Sequence, residues 1–494
     1  MSDRIVGVAE HAGRGLPPLP TGKKVGYAAG AALDGVATQA INIFLFFYAT
    51  AVCGLPAALV GIALAAGLVV DAISDPLIGS FSDSLRSRFG RRLPFMAIGV
   101  PGTVFFLALL FALPEGWSIP ALFVWLTTAS IGLRVSISFF LLPYNAIGAE
   151  LSDGYEERSS IAAWRWGLGM LFAMTTVVLG FGVFLGGENG LSNRGAYLPF
   201  ALVLGMLIVA GTLIAMRTIY KMPERQFPPV SNEGGGRFDL LRQVGELFRN
   251  HSFLTLFIGA LLLFASASIH STLGIHANKY FWGMVPAQIQ IVTLALFAGL
   301  LCGAPLAGPM LKRLEKRSVL VIGILGIGAA FAVPPTLRLI GILPDTGTPP
   351  VALLAGAIFL GGMLMATAAI AFASMMADAA DEHEHLFGAR REGLYFAGWA
   401  FAGKAAAGAG SLIAGFSLQL IGFPSGMAAT SDAPLNLSSN IVAWIGAIYG
   451  PGAGILTLAA ALTCLRYRLD AQRHGAILKE LGDRRKANVA GSTS

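Results

Sequence analysis

Residues 57–82 read AALVGIALAAGLVVDAISDPLIGSFS. A helix of roughly 20 apolar residues is long enough to cross the hydrocarbon of a bilayer. This stretch has that length, yet it carries two carboxylates, Asp71 and Asp75, well inside it. The rest of the chain repeats the pattern of long apolar blocks. Of 494 residues, 55% are hydrophobic and only 12% are charged, against about 25% charged in a soluble domain. An isolated apolar span must satisfy its own backbone hydrogen bonds, so helices are expected, and the alternation of a barrel strand is absent. The fold class is therefore an all-α polytopic membrane protein. Twelve transmembrane helices are expected, near 25–50, 57–82, 93–113, 119–148, 160–187, 196–220, 251–280, 286–311, 318–342, 350–380, 391–422 and 440–466.

The net charge of +7 lies between the blocks, which makes it a topology signal and not a nucleic-acid surface. Lys23–Lys24, Arg86/Arg88/Arg91/Arg92, Arg158, Lys221/Arg225/Arg237/Arg242, Lys312/Arg313/Lys316/Arg317, Arg390/Arg391 and Arg466/Arg468 fall in one alternating set of connections. The other set holds Arg194, Lys279 and Arg338. Lys and Arg remain on the cytoplasmic side, so both termini are expected there, in an inner membrane. The first twenty residues lack the apolar core of a signal peptide, and insertion is expected to begin with the first span. Cys53, Cys302 and Cys464 have no ligand spacing and read as buried small hydrophobes.

Pro228–Pro229 and Gly234–Gly236, followed by the amphipathic run Phe238–Phe248, divide the chain. The expected organisation is a tail at 1–22, a six-helix bundle at 23–222, a linker with one surface helix at 223–249, a second bundle at 250–468 and a tail at 469–494. The halves echo one another. The basic connection Arg86–Arg92 recurs as Lys312–Arg317, and Asp153–Arg158 recurs as Asp381–Arg391 after a similar interval. Two pseudo-symmetric six-helix halves resemble the plan of the major facilitator superfamily, whose site lies between halves that rock in alternating access.

Ionisable groups inside a span cost about 2.5–3.5 kcal/mol on insertion scales and are kept where they face a cavity or a partner. Asp71 and Asp75 are four apart, on one helix face, and such a pair favours a proton or a small cation. Ser74 can add a hydroxyl oxygen, and Pro76 loosens the turn. Lys404 lies well inside the eleventh span and needs a carboxylate or a polar solute. Arg165 opens the fifth span, facing either a cavity or the headgroups. Arg134, in the middle of the fourth span, can pair with either aspartate or brace the helix. Asp34, in the first span, can contact a solute or a proton. Asp381-Glu382-His383-Glu384-His385 looks like a metal cluster but falls in an expected connection, where a solvated loop with ion pairs is the better reading. No phosphate-binding glycine loop and no Gly-x-Ser-x-Gly nucleophile motif is present, which argues against a pump driven by ATP and against an enzyme.

Asp71-Ala-Ile-Ser74-Asp75-Pro-Leu-Ile-Gly79, followed by Arg86-Ser-Arg88-Phe-Gly90-Arg91-Arg92-Leu-Pro94, resembles the signature of the glycoside–pentoside–hexuronide:cation symporter family. Pro143-Tyr144-Asn145-Ala-Ile-Gly148-Ala-Glu150, with Glu157-Arg158 and Arg165, is similar to that family's helix 4–5 connection. Ala377-Asp378-x-x-Asp381, then Arg390-x-Glu392-Gly393 and Lys404, is similar to its helix 10–11 segment. The resemblance implies cation binding by Asp71, Ser74, Asp75 and Ser138. It implies a solute site with Asp34, Tyr144, Asn145, Arg165 and Lys404. It implies a cytoplasmic gate of Arg88, Gly90, Arg91, Arg158, Asp378, Asp381 and Arg390. The pattern departs at Leu141 and Asn145, where the family has a sugar-binding aspartate and a stacking tryptophan, and Gly35 competes with Asp34 for the helix 1 aspartate.

The expected function is symport of a small polar solute, by default a sugar or glycoside, with a proton or sodium ion. The expected partners are that solute, the cation and the bilayer, with no cofactor, no metal beyond sodium, no nucleic acid and a monomeric chain. The alternative is a lipid-like or other non-sugar cargo, suggested by Phe139, Phe140 and Leu141. A membrane sensor is a more distant alternative.

Overall fold

The computed structural model describes residues 18–222 apart from 86, 153 and 188, then 242 and 245–492 apart from 345–348, 390 and 426–436. Among the described residues no strand occurs. The first helices are α1 (Thr21–Leu45), α2 (Ala57–Ser84), α3 (Leu93–Leu110), α4 (Ile119–Glu150), α5 (Glu156–Phe184) and α6 (Arg194–Tyr220). The second series is α7 (His251–Phe281), α8 (Pro286–Arg313), α9 (Lys316–Leu339), α10 (Val351–Phe387), α11 (Glu392–Leu420) and α12 (Ser439–Cys464). A further helix, α13, covers Ala471–Ser492.

Eleven of these helices are long and apolar enough to cross a membrane. The twelfth, α11, has 29 residues, ample length at about 1.5 Å per residue. Its hydropathy is diluted by Gly and Ala and by Lys404. Small residues of this kind let membrane helices approach closely, because lipid gives no hydrophobic drive for helices to associate.

The chain divides into two compact units at Glu233–Gly234. In the first, α1 packs on α5 and α6, α2 and α3 pack on α4, and α3 packs on α6. In the second, α7 packs on α11 and α12, α8 and α9 pack on α10, and α9 packs on α12. The second set of neighbours is the first set shifted by six helices. The internal repeat seen in the basic connections is therefore a repeat of packing.

Helix α2 shows how the site is oriented. Val69, Ile73, Leu77 and Phe81 are exposed and four residues apart, while Asp71, Ile78 and Ser82 are buried. At about 100° per residue, Asp71 lies roughly opposite Val69 and Ile73. The apolar stripe faces outward and the carboxylate faces into the bundle.

Two expectations, the loop at Asp381–His385 and the burial of Cys302, need correction. The segment Asp381–His385 is not a loop: α10 runs on to Phe387 and ends at Gly388, which has a left-handed φ of 80°. Glu382 and His383 are buried there, because α13 packs against α10 and supplies partners. The segment expected as a tail from 469 is largely this helix. Cys302 is exposed, whereas Cys53 and Cys464 are buried. A membrane helix is apolar on its outer face too, so an apolar setting in the sequence does not imply burial. The expected linker helix lies mostly outside the described residues; 245–249 is helical.

Candidate functional site

The first unit brings Asp71 and Ser138 together. Ser138 Oγ on α4 donates a 2.7 Å hydrogen bond to Asp71 Oδ1 on α2, and both residues are buried. One turn earlier, Gly67 meets Ser130: a Cβ at Gly67 would lie 2.6 Å from Ser130 Oγ. The missing side chain allows α2 and α4 to close at this level, which brings Ser138 within reach of Asp71. Ser74 Oγ turns back to the Asp71 carbonyl at 3.2 Å. Asp75, one turn on, is half-buried.

Arg134 is one turn from both Ser130 and Ser138 on the same face of α4. Its charge acts on Asp71 and also on Asp34 of α1. Asp34 is exposed and accepts a 2.9 Å hydrogen bond from Thr38 Oγ1. Its neighbour Gly35 instead lies against the Gly169 carbonyl of α5. Arg165 is one turn before Gly169. Its Nη1 donates to Asn145 Oδ1 at 2.5 Å.

Tyr144 is buried. Its hydroxyl donates to the Tyr27 carbonyl and Tyr27 donates to the Tyr144 carbonyl, each at 2.9 Å. The rings stack 4.6 Å apart. Tyr144 thus holds α4 to α1 and sets the neighbouring Asn145, which is exposed, toward Arg165. Phe140 is buried against Tyr144, and Phe139 stacks on Phe95 of α3. The polar face of the first unit therefore carries Asp34, Asn145, Arg165 and Arg134 beside the buried pair Asp71 and Ser138. Such groups at membrane depth face water, solute or protein, not lipid.

In the second unit Lys404 is half-buried on α11. His270 of α7 lies between the Phe331 and Tyr449 rings, at 3.6 and 3.9 Å, with Nδ1 3.2 Å from the Tyr449 carbonyl. That carbonyl sits in a π-helical turn of α12, Ile448–Gly452, where the usual helical hydrogen bonding is interrupted.

Of the expected gate residues, Arg91 belongs to an ion-pair network of the first unit and Asp378 and Asp381 to one of the second. Buried Arg91 and Arg92 both pair with Glu150 at the end of α4, Arg92 at 2.7 Å. Arg92 also pairs with Asp83 of α2 at 2.8 Å. Gly90 has a φ of 86°, a left-handed conformation suited to glycine, and this turns the chain back toward Glu150. Arg88 is exposed and stacks on Phe89. Arg158 Nε donates to the Ser152 carbonyl at 2.6 Å.

In the second unit Lys316 pairs with Asp378 at 2.6 Å. His474 of α13 lies 3.1 Å from Asp381 and 3.8 Å from Asp378, and Arg473 pairs with Glu382 at 3.2 Å. Tyr467 donates to the Met375 carbonyl. Burial, together with Asp378 and Glu382, pushes the pKa of that hydroxyl well up, so it stays a donor. Arg390 lies outside the described residues. Sequence reasoning overlooked Arg92 and Glu150, although both stand inside the quoted motifs. It had no signal for Tyr27 or for α13. Among the described residues no cluster of three or more His, Cys, Asp or Glu side chains is arranged to hold a metal ion.

Twelve long helices in two repeated units, with carboxylates and guanidiniums inside the spans, define a secondary transporter of the major facilitator fold. A family model described as MFS/sugar transport protein matches residues 26–471. The chain belongs to the glycoside–pentoside–hexuronide:cation symporter family of that superfamily. The glucuronide carrier protein homolog of Escherichia coli is 26% identical over 419 residues, 84% of this chain and 87% of that protein. The isoprimeverose transporter of Lactiplantibacillus pentosus is 23% identical over 466 residues, 92% of this chain and 89% of that protein. An uncharacterized symporter of Synechocystis matches more locally, at 32% identity over 168 residues, 32% of this chain and 30% of that protein. The crystal structure of the nucleoside transporter NupG superposes with a TM-score of 0.60 at 14% identity, covering 91% of this chain and 99% of that one, a likeness of fold. The protein is a membrane transporter and not an enzyme.

Proposed function

We propose that the protein is a cation-coupled symporter of a small polar solute, a sugar or glycoside by default, working by alternating access in an inner membrane with both termini cytoplasmic. The contact between Ser138 and Asp71 carries this reading. A buried carboxylate that has a hydroxyl partner and a second carboxylate one turn away is a place for a small cation. A bound cation relieves the repulsion between Asp71 and Asp75 and favours the loaded state, which couples its binding to that of the solute. The solute side is assigned to Asp34, Asn145, Arg165 and Lys404, with Tyr144 as a brace. Arg165, held by an amide oxygen, keeps guanidinium donors for solute oxygens. The relatives named for a glucuronide and for isoprimeverose support a glycoside. The amphiphile alternative loses support from Phe139 and Phe140, which are used in packing.

Uptake of a glycoside panel into vesicles, with an imposed proton or sodium gradient, tests this. Accumulation driven by one of the two gradients is expected. Transport indifferent to both gradients would sink the proposal.

A further inference from the structure

Arg134 is a charged group inside a span of the first unit that the symporter scheme leaves unused. It lies on the stripe of α4 that contains Ser130 and Ser138. Those two serines meet α2 at Gly67 and Asp71. Arg134 lies between them, so its side chain leaves α4 at the level where α4 and α2 touch. It is about 6 Å along the helix from the serine that bonds Asp71. Its charge reaches Asp71 on α2 and Asp34 on α1, so the guanidinium belongs to the junction of α1, α2 and α4.

We infer that Arg134 is a tethered counter-cation of Asp71 and that it closes the Asp71–Asp75 pair to sodium. The inference rests on the reading of this pair as the coupling site. A hard cation such as sodium is held by oxygen ligands and is opposed by a fixed positive charge beside them. Here the Asp71 carboxylate already accepts from Ser138 and lies in the field of the Arg134 guanidinium, a group that keeps its charge. A sodium ion would have to bind beside that charge. The residues present therefore fit a sodium site poorly, although Asp71, Asp75, Ser74 and Ser138 would otherwise supply its oxygens.

The test is thermal unfolding of the purified full chain in nanodiscs, titrated with sodium chloride against choline chloride at constant ionic strength. Wild type is expected to show no saturable stabilisation by sodium. Arg134→Gln, which removes the charge and keeps a polar side chain, is expected to gain one, with sodium affinity up by about tenfold or more. Arg134→Lys is expected to remain blind to sodium. Adding Asp71→Asn to Arg134→Gln is expected to abolish the gain, which places the ion on Asp71.

Saturable sodium stabilisation of wild type that disappears in Asp71→Asn would overturn the inference. So would a folded Arg134→Gln that ignores sodium. If Arg134→Gln does not fold, rescue by the added Asp71→Asn supports the charge pairing, and failure of that rescue overturns it. The readout needs no solute, so its failure is separable from that of the symport proposal, which the gradient-driven uptake decides.

Discussion

The two units have the same packing but different interiors. Each sets one helix, α4 or α10, against the two helices before it, and each ties a basic connection to an acid near the end of that helix: Arg91 and Arg92 to Glu150, Lys316 to Asp378. Within the membrane the likeness ends. The first unit carries Asp34, Asp71, Asp75, Arg134 and Arg165, whereas the second carries Lys404 and a histidine clamped between two rings. The repeat preserves what positions helices, namely small residues, span lengths and ties at the ends. The ionisable groups inside the membrane differ, because a charge there must be justified by function in the unit that bears it.

The end ties give the largest expected effect on stability. Glu150 is shared by two buried guanidiniums. Glu150→Gln should cost about 3–5 kcal/mol, since it leaves buried charge unpaired, and should lower the unfolding temperature of the protein in detergent accordingly. Asp378→Asn should cost less, about 1–3 kcal/mol, because Lys316 is more exposed than Arg91 and Arg92. Equal losses would show that the two ties are equivalent after all.

Tyr27→Phe removes the donor to the Tyr144 carbonyl and should cost about 1 kcal/mol. The same change loosens Tyr144, whose neighbour Asn145 accepts from Arg165, so it should also raise the KM for the transported solute more than it changes the maximal rate. Unchanged KM would confine Tyr27 to packing. His474→Ala, which releases α13 from Asp381 and Asp378, concerns partly exposed groups. It should cost no more than about 1 kcal/mol, measured by the same unfolding assay.

The spans were legible because each had to be both long and apolar, which few other structures require. Even α11, rich in Gly and Ala, was read as one of the long apolar blocks. The end of α10 was misread because Asp381–His385 is polar, and polar sequence ordinarily ends a span. Its helical state depends on α13, whose Arg473 and His474 lie about ninety positions further along the chain. The pairing of Asp71 with Ser138 followed from the resemblance. The Tyr27–Tyr144 brace had no signature, since two tyrosines 117 positions apart announce nothing about each other. Arg134 was visible as a charge inside a span, but which carboxylates it serves depended on how α4 lies against α1 and α2.

The difference between the units is tested most directly with Asp71→Asn in vesicles, by comparing two modes of transport of one glycoside. Exchange of solute at equal concentrations on both sides needs no net ion movement and should persist. Accumulation driven by an ion gradient should fall to the level of vesicles without the protein. Accumulation that survives in Asp71→Asn would contradict the claim that the first unit holds the coupling site.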